Sequence, residues 1–158
     1  MILKAKPQSS ILALGLLLVA GLVGLPLSRS TGVASLSAAP QKGHLHATKE
    51  CSEYHGAAGE FCTFTASNLA QIKFDSTVTY DQAAGIPAGL LDSNVVLDAG
   101  NGNRALGRCT LDLTTFLGLC TFSDGTGQFA GFNARVDVSF DGALFHWDGT
   151  YNFDRGPK

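Results

Sequence analysis

Residues 132–153 read FNARVDVSFDGALFHWDGTYNF, with apolar and polar residues alternating on both sides of one Asp-Gly. Taking Asp141 to Leu144 as a loop sets Phe140 against Phe145. The next pairs are Val138–Trp147, Val136–Gly149, Ala134–Tyr151 and Phe132–Phe153, all on one apolar face. The other face pairs Ser139–His146, Asp137–Asp148, Arg135–Thr150 and Asn133–Asn152. Strand side chains alternate with period two, so a slip of one residue would scramble both faces. The stretch therefore predicts a hairpin with one buried and one polar face.

The pattern continues upstream. In SNVVLDAGNGNRALGRCTLDL, residues 93–113, Asn101-Gly102 signals a type I′ turn. Centring on it pairs Asp98 with Ala105, Val96 with Gly107 and Asn94 with Cys109. GLCTF, residues 118–122, returns as a further strand and sets Cys120 across from Cys109. EFCTFTA (60–66) and IKFDSTVTY (72–80) have the β-branched and aromatic content of strands. Gly85, Pro87 and Gly89 mark a loop. No amphipathic helix is evident. The expected fold is all-β, a small antiparallel up-and-down barrel of about eight strands, whose closure removes exposed edges. A two-sheet sandwich is the alternative, but its Greek-key crossovers are harder to see.

The chain of 158 residues opens on Met1–Pro7, which carries Lys4 and Lys6. An uncharged apolar run, Ile11 to Leu27, and the small-residue stretch STGVASLSAAP follow. That layout predicts a secretory signal, with cleavage after Ala34 or Ala39, the second disfavoured by Pro40. The alternative is an uncleaved membrane anchor, for which the run is at the short end of the roughly 17–25 residues required. The division expected is residues 1–39 as signal or anchor, 40–58 as a polar leader and 59–158 as the barrel. The expected location is secreted, extracellular or periplasmic, with membrane association only if the first segment stays attached.

All four cysteines, Cys51, Cys62, Cys109 and Cys120, follow that segment. An even count in an exported chain favours disulfides. Three pairings are possible. The sequential pairs share one spacing and each closes a short local loop, so Cys51–Cys62 and Cys109–Cys120 are preferred. Metal binding fits poorly: no C-x2-4-C pair exists and the four histidines lack ligand spacing. A formal net charge of −2 with no basic stripe argues against nucleic acid. No cofactor motif is present, and the sequence is silent on oligomeric state.

FSDGTGQFAGFNARVDVSF (122–140), followed by WDGTYNF (147–153), resembles the barrel of plant allene oxide cyclases and dirigent proteins. Those families carry a G-(T/S)-G-x-F-x-G turn before the penultimate strand. Here the positions are Gly125, Gly127, Phe129 and Gly131. Glycines there permit close packing and unusual backbone angles, and Phe129 is placed to plug a barrel end. The resemblance implies an eight-stranded antiparallel barrel. It implies an activity such as cyclisation of a fatty-acid epoxide or control of phenoxy-radical coupling. The catalytic residues of neither family map onto EFCTFTASN, and an exported four-cysteine chain departs from the plastid enzymes, so function transfers weakly.

Few residues suggest chemistry. Asp137 and Asp148 face each other and could share a proton or hold a cation, against the simpler reading of a solvated outer face. Ser139, His146 and an Asp lack the pocket and oxyanion hole a triad needs. DAGNGN (98–103) lacks the acidic residues of a calcium loop. The aromatic row from Phe132 to Phe153 is most simply core, because small barrels fill with side chains. In the minority reading, Val136, Val138, Trp147 and Tyr151 line a lumen that admits a small hydrophobic ligand. The functional expectation is a non-enzymatic barrel that binds a small apolar molecule or acts through its surface. An isomerase or cyclase of the allene oxide cyclase type is the alternative.

Overall fold

The computed structural model describes residues 41–85 and 89–154. The signal or anchor segment, residues 1–39, lies outside them. Alternating burial produces eight strands. They are β1 (Lys42–Glu50), β2 (Phe61–Ser67), β3 (Thr77–Tyr80), β4 (Leu90–Asp98), β5 (Arg104–Asp112), β6 (Gly118–Thr126), β7 (Phe132–Phe140) and β8 (Phe145–Phe153). Each pairs antiparallel with its chain neighbour. β1 then pairs with β8, from Lys42 opposite Asn152 to Lys49 opposite Phe145, and closes the barrel. Closure satisfies the backbone groups that an open edge would leave unpaired.

The β7–β8 register is the one its alternation dictates, from Phe132 opposite Phe153 to Phe140 opposite Phe145. Two sequence expectations need correction. In the β4–β5 hairpin, Asp98 pairs with Arg104, Val96 with Leu106 and Asn94 with Arg108, one residue away from the register centred on Asn101-Gly102. Gly100, Asn101 and Gly102 all have positive φ, and the loop is closed by Ala99 N–H donating to the Asn103 carbonyl at 2.9 Å. A longer loop shifts the pairing, and the shift places Val95 and Leu97 inside rather than Val96 and Asp98.

The second correction concerns residues 40–58, expected as a polar leader ahead of a barrel starting at residue 59. The strand β1 lies within them. Its His, Thr and Lys content reads as polar, but Leu45 and Ala47 alternate with His44, His46 and Thr48 and are fully buried. His44, His46 and Thr48 face outward on a closing strand, while Lys49 shares the inward parity of Leu45 and Ala47.

The barrel interior divides into two halves. At the end that holds the β6–β7 turn, aromatic rings fill the lumen. Phe129 is fully buried and stacks edge-on against Phe132 at 5.2 Å, which in turn meets Phe153 at 5.2 Å. The glycine turn makes this plug possible. Gly131 has φ +76°, and a Cβ there would come within 2.1 Å of the Asp154 carbonyl oxygen. Trp147 occupies the middle, edge-on to Phe64 at 5.0 Å and tilted against Phe122 at 5.4 Å. Beyond Trp147, toward the disulfides, the interior holds a cavity.

Candidate ligand site at the disulfide end of the barrel

The chain forms two disulfides, Cys51–Cys62 and Cys109–Cys120, the second directly across the β5–β6 pair. Both lie toward the hollow end, and all four cysteines line its cavity. No cysteine is free, a pattern that suits an oxidising, extracellular-type compartment. Among the described residues no helix is long and apolar enough to cross a membrane.

The cavity measures about 250 Å³ and its wall is mostly apolar, including Leu91, Leu111, Val138 and Phe145. The rim is aromatic. Phe116 and Phe140 are both partly exposed, with ring centres 5.4 Å apart. Phe116 has φ +56°, a left-handed conformation that costs of order 1–3 kcal/mol in a residue with a side chain. Its turn is held by the Asp112 carboxylate, which accepts from Thr114 N–H at 2.7 Å and Thr115 N–H at 3.0 Å. The Phe116 ring joins the cavity lining beside Phe140.

One charged residue lines this apolar space. Lys49 follows Leu45 and Ala47 on the inward face of β1 and is only 2 % exposed. Its Nζ donates to the Tyr80 hydroxyl at 2.5 Å. It also lies 5.2 Å from the ring centres of Tyr80 and Trp147 and 5.4 Å from that of Phe145. Three ring faces stabilise an ammonium, but less than water would. Among the described residues no carboxylate pairs with it. Burial pushes its pKa down from 10.5 to about 7. Burial, helped by the neighbouring Tyr54, holds the Tyr80 phenol above its usual range. Tyr80 therefore stays protonated where Lys49 loses its proton. A third polar group, the buried Tyr54 hydroxyl, lines the same cavity without a hydrogen-bond partner among the described residues, its ring 4.8 Å from that of Tyr80. Burial raises its pKa first, and the Glu60 carboxylate second. The site is thus an apolar pocket with an amine and two phenol hydroxyls at one side.

Of the side chains expected to line a lumen, Val138 lies on the cavity wall. The Trp147 ring forms part of the cage around the Lys49 amine, and its indole N–H is buried without a partner among the described residues. Val136 and Tyr151 sit deeper, in the packed core. Asp137 and Asp148 oppose each other on the outer face, both exposed, and Asp148 engages His46 Nδ1 at 2.5 Å. His146 lies opposite Ser139, but its Nε2 meets Asp141 at 2.8 Å, on the sheet surface away from any pocket. Among the described residues no group of three or more His, Cys, Asp or Glu is placed to hold a metal. In DAGNGN the Asp98 carboxylate accepts from Gly100 N–H and Arg104 Nε, both at 2.8 Å, which closes the turn. The motif turn Gly125, Gly127, Phe129 and Gly131 forms the plug at the opposite end.

Lys49, Tyr54 and Tyr80 do not stand out in the sequence as site residues, although Lys49 continues the inward parity of Leu45 and Ala47. No protein-family model, curated protein or solved structure matches the chain.

Proposed function

We propose that this chain is an exported, disulfide-stapled barrel that binds a small apolar molecule in the cavity beside Lys49. The observation that carries the reading is the cavity left inside the barrel beside Lys49. A purely structural barrel would fill it, as the Phe129 end is filled, and would have no reason to bury an amine without a carboxylate. Water's share of liquid volume is about 30 Å³. By that measure the 250 Å³ cavity holds on the order of eight heavy atoms, a short chain or a single ring. Export is supported by the basic, apolar and small-residue layout of residues 1–39 together with the two disulfides.

A second reading, an isomerase or cyclase of the allene oxide cyclase type, draws support from the same geometry. Such catalysis mainly holds a reactive substrate in shape, and three hydrogen-bonding groups in an apolar pocket suffice to orient it.

The test uses Trp147, the only tryptophan. Titration with hexanol should change its emission saturably and raise the melting temperature as ligand concentration rises, by about 2.7 kcal/mol of stability at 100 times Kd. Leu111→Phe, which narrows the cavity, should weaken both effects. Hexanol without a saturable effect on the native chain would overturn the reading.

A further inference from the structure

We infer that Lys49 is a carbonyl-binding amine, which condenses with a small apolar aldehyde or ketone in the cavity while Tyr80 relays the proton. The inference rests on the cavity being a ligand site and adds the ligand's chemical class. Three features of the site lead to it. Among the described residues the polar side chains lining the pocket are Lys49, Tyr54, Tyr80 and Thr110, and no carboxylate lines it. A ligand oxygen, not a ligand cation, is what this set receives. The amine already lies 2.5 Å from a hydroxyl, so one carbonyl group can meet both, its carbon at Nζ and its oxygen at Oη. The rest of the wall, Thr110 apart, is apolar and disfavours the water that would hydrolyse the product.

The groups facing Lys49 also suit the chemistry. From β3 comes Tyr80, from the β1–β2 loop Tyr54, and from β8 only the rings of Phe145 and Trp147. None is an anion that would hold the ammonium charged. A lysine in water keeps its proton up to about pH 10 and is a poor nucleophile below it. In this pocket burial lowers the pKa to about 7, so about half of the amine is neutral near pH 7. The Nζ lone pair attacks the carbonyl carbon, and the oxygen takes a proton to give a carbinolamine. Tyr80 then protonates the departing hydroxyl and recovers a proton from nitrogen. A C=N bond replaces C=O, both amine hydrogens leave as part of one water molecule, and no oxidant or reductant is consumed.

The experiment treats the disulfide-bonded chain with hexanal and cyanoborohydride near neutral pH, which traps an imine as a stable alkyl adduct, and maps the modified peptides. Lys42 and Lys73, both exposed, are internal references. Lys49 should be alkylated at least about tenfold faster than either, with a rate that levels off above about pH 7. Tyr80→Phe keeps the ring and should slow Lys49 alone by about tenfold or more, in keeping with proton transfer. Lys49→Met should leave only the slow exposed sites. Labelling of Lys49 no faster than of Lys42 in the native chain would overturn the inference, and needs no variant to fold. If hexanol perturbs Trp147 while hexanal leaves Lys49 unlabelled, the cavity reading stands and the imine falls. If neither probe perturbs Trp147, both fall.

Discussion

Lys49 and Trp147 share a face of the barrel and have opposite energetics. Burying the indole is favourable, and Trp147→Ala should cost roughly 3–5 kcal/mol because the ring is fully enclosed. Arg135, exposed on the outer face, should cost about 0.5 kcal/mol or less on truncation to Ala. Chemical denaturation of both variants checks the order. Burying the ammonium is unfavourable, and pH reveals it. Between about pH 7 and 10.5 the unfolded chain keeps the Lys49 proton while the folded chain has lost it. The unfolded state then binds more protons, so stability rises with pH across that window, by about 1.4 kcal/mol per pH unit at most. Below about pH 7 both states are protonated and the full cost is present. Tyr80 has a raised folded pKa, so its contribution acts the other way, but only above the usual phenol range near pH 10. Denaturation from pH 7 to 9 should therefore show rising stability in the native chain and a flatter profile in Lys49→Met. Equal profiles would mean that Lys49 reaches water. Trp147 was legible in the sequence because an apolar residue on an alternating strand goes inside. Lys49 was not, because a lysine in a polar-looking segment reads as solvated, and its burial depends on which strands flank it.

The β4–β5 hairpin shows how far an element can be read locally. Both strands were legible from alternation, but the register was not. Asn101-Gly102 is a strong two-residue turn signal, yet the chain spreads the reversal over residues 99–103. What decides is the core: only the observed register buries Val95 and Leu97. The β5–β6 pair has a covalent check on its register, because Cys109 and Cys120 are direct partners. Replacing both by Ser should cost roughly 3 kcal/mol, from the loop entropy restored to the unfolded chain. A guanidinium melt of the double variant measures it, and an unchanged midpoint would show that strand pairing alone restrains this loop. At the opposite end the glycine turn was legible as a turn. Its packing reason, the close approach of Gly131 to the Asp154 carbonyl, came only from the C-terminal residues that follow β8.

Closure is a property of the whole molecule, and it depends on β1. A chain begun at residue 59 would leave β2 and β8 as open edges and remove Leu45, Ala47 and Lys49 from the interior. Such a truncation should lose the near-ultraviolet circular dichroism of Trp147 and associate through its edges on size-exclusion chromatography. A monomeric, cooperatively melting product would show that seven strands suffice. Export and oxidation are tested at the same scale. The mature protein should be lighter by four hydrogens than its reduced form, and its peptide map should join Cys51 to Cys62 and Cys109 to Cys120.

The amino-acid order alone determined the fold class, the β7–β8 register and the favoured disulfide pairs. Each follows from short-range facts: period-two alternation, tight turns and a fixed spacing of cysteines. The tertiary structure decided which segment closes the barrel, how the β4–β5 pair is aligned and where the interior is left empty. Those outcomes depend on side chains far apart in the chain competing for one enclosed volume. Phe129, Phe132 and Phe153 fill one half of it. The other half is left to Lys49, Tyr54 and Tyr80, from β1, the β1–β2 loop and β3, because only ring closure sets β1 between β2 and β8 and turns its inward parity, lysine included, toward the lumen.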